Sequence, residues 1–110
     1  MVGEIRSHFR FSLPPTTGTE MVTWDSNQPF WIDTLNVVFE IETGGSVIVD
    51  VSGVKLWQIN SPGPSPPVLN SSACVPVHMP MFNADVLRIT VVGGTAEGWV
   101  CGTCSVWDQL

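Results

Sequence analysis

Cys101-Gly102-Thr103-Cys104, with Cys74 and His78 upstream, is the pattern in this chain that comes nearest to a chemical site. Read together, the four side chains spell C-x3-H…C-x2-C, the ligand types of a tetrahedral zinc centre. The two sulfurs of the C-x-x-C converge only if Gly102-Thr103 turns. The segment from Trp99 to Trp107 instead reads as one continuous strand, and residues three apart on a strand point to opposite faces. Buried or free thiols are therefore the favoured reading of the three cysteines, a disulfide through Cys74 comes second, and zinc third. A redox role needs a helix N-terminus to lower a thiol pKa, and no helical pattern follows. His78-Met79-Pro80-Met81 offers an imidazole and two thioethers of the kind that hold copper, but in a strand these read as core and edge residues.

The carboxylates are weighed the same way. Glu40 and Glu42 share a strand face about 7 Å apart, and with Asp33 and Asp50 they are the candidates for paired acid–base work on glycosides. A general acid needs a cleft that raises its pKa, so a solvated sheet face is the better reading. Asp25, Asn27 and Asp50 are candidates for calcium at the level of residue type only. No G-x-S-x-G is present, and there are only two histidines, so a Ser-His-Asp hydrolase has no signature here. The expectation is a chain that is not an enzyme and carries no cofactor.

The five tryptophans remain: Trp24, Trp31, Trp57, Trp99 and Trp107. Each can fill the core, anchor a subunit interface, or stack on a sugar ring. Trp99 and Trp107 share parity and line one face of their strand.

The elements that must position these residues are strands. His8 to Leu13 alternates with Phe9, Phe11 and Leu13 on one face, and Pro14-Pro15 should end it. Glu20 to Trp24 makes a short strand, and Asp25 to Pro29 a turn. Leu35, Val37, Phe39 and Ile41 share a face. Phe30 and Ile32 fall on the opposite parity, which predicts a bulge near Asp33. Gly44-Gly45 then predicts a hairpin returning through Val47, Val49 and Val51, and Val54 to Ile59 forms a further strand. Residues 60–72 hold four prolines and four serines, and read as a long extended loop of functional character. Ala73, Val75, Val77 and Met79 alternate after it, with Pro76 marking a sheet edge. Asp85 to Val92, a turn at Gly93-Gly94-Thr95, and Trp99 to Trp107 predict a second hairpin. The fold expected is an all-β, antiparallel two-sheet β-sandwich of about eight strands, with the jelly roll as one form of it. It is one domain over 1–110, with an N-terminal arm at 1–7 and the proline-serine loop at 60–72.

Composition narrows the partners. Charged residues make up 13% of the chain and lysine occurs once, at Lys55, against about 25% charged in a typical soluble domain. Interfaces are poor in Lys and Glu and rich in large aromatics, so a substantial part of the surface should be covered by neighbours. Phe9, Phe11, Trp24, Trp31, Trp57, Pro64, Pro66, Trp99 and Trp107 are the residues expected to make those contacts. The net charge of −6 argues against nucleic acid, whose phosphates call for clustered Lys and Arg. No apolar run approaches the roughly 18 residues of a membrane helix. Met1 to Arg6 lacks the pattern of a signal peptide, which argues against Sec-type export.

The stretch from Pro29 to Trp107 resembles the small β-sandwich modules of tailed-phage virion proteins. The features that carry the resemblance are Pro29-Phe30 before a strand, Gly44-Gly45-Ser46, and Val47-Ile48-Val49-Asp50-Val51. Ala84-Asp85-Val86-Leu87-Arg88-Ile89 and Gly98-Trp99-Val100 continue it. Ala84 departs from the glycine that precedes the aspartate in that pattern. The resemblance implies a virion part: a capsid decoration or cement protein, assembled in the host cytoplasm, that binds viral shell or tail proteins and self-associates, with a trimer favoured. The alternative it leaves open is a receptor- or glycan-binding fibre or baseplate module.

Overall fold

Alternation of apolar and polar residues governs nearly the whole chain, and the computed structural model turns it into six strands. They are β1 (Val2–Thr16), β2 (Thr19–Thr23), β3 (Phe30–Val51), β4 (Val54–Asn60), β5 (Val68–Met81) and β6 (Val86–Gln109). The structure describes the backbone of residues 2–61 and 68–109, and the side chains of 8–61 and 71–104. No helix occurs among the described residues. Every pairing is antiparallel, and all six strands belong to one hydrogen-bonded sheet. Pro64 and Pro66 lie outside the described residues, as do the side chains of 1–7 and Trp107.

The expected hairpins at Gly44-Gly45 and Gly93-Gly94 are not formed. Residues 30–41 of β3 pair with 94–104 of β6, and residues 46–51 pair with 87–92, so the two longest strands run against each other throughout. The count falls from about eight to six for the same reason. Both glycine pairs lie where the two backbones meet. A Cβ on Gly45 would come within 2.7 Å of the Val92 carbonyl oxygen, and one on Gly93 within 3.2 Å of the Gly45 Cα. Gly44 and Gly93 have φ of 81° and 71°, a region open to glycine at little cost. A hairpin and a bend in two paired strands make the same demand on these positions, so the diglycines alone do not distinguish them.

Two four-strand neighbourhoods result. β1, residues 94–104 of β6, residues 30–42 of β3, and β5 lie side by side. So do β2, residues 86–92 of β6, residues 46–51 of β3, and β4. The bulge anticipated near Asp33 is present as a register shift between Ile32 and Thr34. It returns Phe30 and Ile32 to the inward face beside Leu35, Val37, Phe39 and Ile41, all buried. Val47, Val49, Leu87, Ile89, Val100 and Met81 complete most of that core.

Three boundaries differ from the sequence reading. β1 continues through Pro14-Pro15 to Thr16 with an irregular register after Leu13. Among the described residues it pairs only with β6, and an edge strand tolerates missing N–H donors. The arm at 1–7 is strand from Val2 onward, paired with 104–109. β5 begins at Val68, so strand takes up the end of the segment read as a loop to 72. Pro76 falls on β5, which among the described residues pairs only with β3 and so forms a sheet edge.

Candidate binding face

Registered residues on neighbouring antiparallel strands project to the same face, so the pairing assigns the outer surface of the first neighbourhood row by row. Ser12, Trp99, Asn36 and Cys74 form one row, and Arg10, Cys101, Thr34 and Pro76 the next. Glu97 and Val38 pair on the other side of Trp99, followed by Thr95 and Glu40. Inward-facing Gly98 and Gly102 let β6 lie close to β3. A Cβ on Gly98 would come within 2.9 Å of the Asn36 carbonyl oxygen, and one on Gly102 would fall on the Trp31 carbonyl oxygen.

Trp99 is the centre of this face. The Arg10 guanidinium carbon lies 4.2 Å from its ring centroid, a cation–π contact that fixes the indole. Two shallow depressions border it, and a third adjoins those two. One of about 360 Å³ is bordered by Trp99, Asn36, Val38, Ser72 and Cys74. A second of about 220 Å³ lies between Arg10, Pro15, Glu97 and Trp99. A third of about 230 Å³ lies between Pro15, Val38, Glu40 and Glu97. Shared walls make them one trough across the outer face.

The other aromatic candidates divide. Phe11, Trp24 and Trp57 are half-buried and pack against the core. Trp24 donates its indole N–H to the Gln28 carbonyl at 2.8 Å and tilts against Phe30 at 5.1 Å. Phe9 and Trp31 are 43% and 40% exposed.

The cysteines and histidine do not converge. Cys104 is buried on the core side, its thiol 3.8 Å from the Gln28 carbonyl, and burial raises its pKa above the ordinary thiol value. Cys101, three residues earlier, is on the outer face. Cys74 is exposed on β5, and exposed His78 has φ 54°. No group of three or more metal-ligating side chains occurs among the described residues. Met81 is buried and Met79 packs on the core, so the methionines and His78 diverge as well.

Glu40 and Glu42 do share the outer face, both exposed. Asp50 belongs to the other neighbourhood, buried, accepting from Arg88 Nε at 3.0 Å and from the Gly53 amide at 3.2 Å. Asp85 closes a turn: it accepts from the Phe82 amide at 2.8 Å and the Ser52 hydroxyl at 3.0 Å. The Arg10–Trp99 contact escaped the sequence reading, although Ser12 to Trp99 pairing would have placed them together had strand order been known.

No protein-family model matches the chain, and no curated protein matches it in sequence. Solved structures do resemble it. The virus-like particle protein of the extra small virus of the giant freshwater prawn Macrobrachium rosenbergii is 12% identical with a TM-score of 0.49, over 98% of this chain and 81% of that one. The C-terminal CBM6 of LamC from Zobellia galactanivorans is 12% identical with a TM-score of 0.41, over 92% and 99%. Infectious bursal disease virus, Gx strain, gives 12% and 0.34 over 99% and 32%. These are likenesses of chain trace alone.

Proposed function

We propose that this chain is a non-enzymatic virion structural protein, a jelly-roll β-sandwich that decorates or cements a tailed-phage particle by burying surface between subunits. The strand neighbourhoods support the fold. Pairing in the order β1, β6, β3, β5 and again β2, β6, β3, β4, with β3 and β6 shared, is what two four-stranded jelly-roll sheets require. Phe39 supports the closure of one sheet over the other. Trp57 pairs with Val49, ten residues beyond Phe39, which on a straight strand is about 33 Å away. The two rings are 5.7 Å apart. Jelly rolls serve in capsids and in lectins alike, so fold alone gives analogy and the assembly role needs its own support.

The observation that carries assembly is the ribbon at one end of the molecule. β3 stops pairing with β6 at Cys104, whereas β1 and β6 continue together to Val2 and Gln109. Five residue pairs thus extend about 17 Å beyond the third strand, in a molecule 61 Å long and 20–21 Å across. A two-stranded ribbon by itself is marginal in water. At its root Phe9 remains 43% exposed beside Gly102. Docking of this end on neighbouring copies stabilises only the assembled state. The resemblance carried by Pro29 to Trp107 supplies the tailed-phage setting, though its Gly44-Gly45 element is a bend here.

Native mass measured under reducing conditions tests the reading, with a discrete trimer expected. A chain that stays strictly monomeric and fails to bind viral shells would defeat it.

A further inference from the structure

We propose that the trough around Trp99 binds a neutral oligosaccharide, with one pyranose ring stacked on the indole. This goes beyond the assembly reading and uses a different surface from the ribbon.

Three features select the ligand. Arg10 covers Trp99 from the β1 side at 4.2 Å, so the indole is held in place before any ligand arrives, and pre-organisation lowers the entropy lost on binding. On the β3 side Trp99 borders the depression of about 360 Å³. That depression is mixed in character: an indole and Val38 beside an amide, a hydroxyl and a thiol. Half-buried Asn36 lines the depression, and its side-chain amide has no hydrogen-bond partner among the described residues. A purely apolar ligand would bury that amide unsatisfied, at a cost. A sugar offers both a C–H face for the indole and hydroxyls for the amide.

Charge removes the other polar ligands. Glu97 walls two of the three depressions and Glu40 one, with Glu42 exposed on the same sheet face. Arg10, stacked on Trp99, is the one cation among the described residues of the trough walls. Two carboxylates against one guanidinium leave the walls net negative, so phosphorylated, sulfated or sialylated ligands meet net repulsion, while the carboxylates accept hydrogen bonds from neutral hydroxyls. Trp31, exposed on the same face, pairs with Thr103, four residues from Trp99 along β6 and one strand across. Strand spacings put the two on the order of 14 Å apart, which favours a chain of sugars over a monosaccharide.

The test is an array of neutral gluco-, galacto-, manno- and xylo-oligosaccharides of up to six units, alongside sialylated and sulfated glycans. Hits are titrated by tryptophan fluorescence with the whole chain. At least one neutral oligosaccharide is expected to bind. Trp99→Ala should weaken it tenfold or more, about the effect of losing 1.4 kcal/mol, and Asn36→Ala should weaken it while leaving the thermal unfolding curve in place. Trp99→Phe, which keeps an aromatic ring, should retain part of the affinity, and Met21→Ala on the other neighbourhood should change nothing. Binding to no neutral glycan, preference for the anionic ones, or affinity that survives Trp99→Ala would overturn the proposal. So would a Trp99→Ala or Asn36→Ala chain that loses its oligomeric state, since the trough would then be a subunit interface. Loss of glycan binding with the native mass intact leaves the assembly reading standing.

Discussion

Replacing the rings of Phe39 and Trp57, singly and together, measures whether the two strand neighbourhoods face each other. The rings are 5.7 Å apart at a 47° tilt, and Phe39 is buried. Aromatic pairs in this range contribute about 0.5–1.5 kcal/mol beyond their area burial. Phe39→Leu and Trp57→Leu retain apolar bulk, so each variant should remain folded, and the cycle isolates the term the two rings share. Urea unfolding of the four proteins should therefore give a coupling energy of about 1 kcal/mol. Were β3 straight, the same residues would lie about 33 Å apart, and effects at such separations add to within about 0.3–0.5 kcal/mol. A coupling energy within about 0.3 kcal/mol of zero, with all four proteins unfolding in a single transition, would refute the closure of one sheet on the other.

Three more perturbations follow from single positions. Ala84 is exposed and has φ 73°, where an alanine is strained and a glycine is not; Ala84→Gly should raise stability by about 0.5–1 kcal/mol, read as a higher urea midpoint. A Cβ at Gly94 would fall on the Glu40 carbonyl oxygen, whereas Gly18 has nothing within 4 Å. Gly94→Ala should thus cost about 1–3 kcal/mol and Gly18→Ala stay within about 0.5 kcal/mol of the parent, both by thermal unfolding. With a thiol-reactive probe, exposed Cys74 should label first and Cys104 last. Burial raises the Cys104 pKa, so the folded chain holds that proton more tightly than the unfolded one. Stability from this group is intact at neutral pH and falls as the pH rises past the ordinary thiol range, a loss that Cys104→Ala should remove.

Alternation made the strands legible. The inward set Leu35, Val37, Phe39 and Ile41, the bulge at Asp33 and the edge position of Pro76 could all be read from parity and residue type. Partnership could not. Gly44-Gly45 gives the backbone freedom to reverse a strand or to bend it, and the choice depends on whether Val92 or a local partner receives the hydrogen bonds of Ser46. That is a contact between residues 46 apart in the chain, which local pattern does not report. The same gap hid the candidate face: Arg10 and Trp99 are 89 positions apart and meet only because β1 lies beside β6. Ala84 was the opposite case, a departure from a turn pattern visible in sequence whose cost appeared once its φ was known.

The two surfaces proposed for this molecule belong to one structural cause. β6 supplies the centre of the trough at Trp99 and, ten residues on, the last pair of the ribbon at Gln109. The inward glycines at 94, 98 and 102 hold its middle tightly against β3. Among the described residues, β6 beyond Cys104 pairs with β1 alone. In the proposed assembly, a long strand anchored in this way would offer one end to neighbouring subunits and leave its middle, around Trp99, on the outer face. If copies meet through the ribbon and leave the troughs uncovered, several copies present several glycan sites at once. Weak stacking at each Trp99 would gain through multivalency what a single shallow trough lacks. Glycan affinity should accordingly fall when the ribbon is disrupted even though no ribbon residue touches the sugar, whereas Trp99→Ala should leave the native mass as it was.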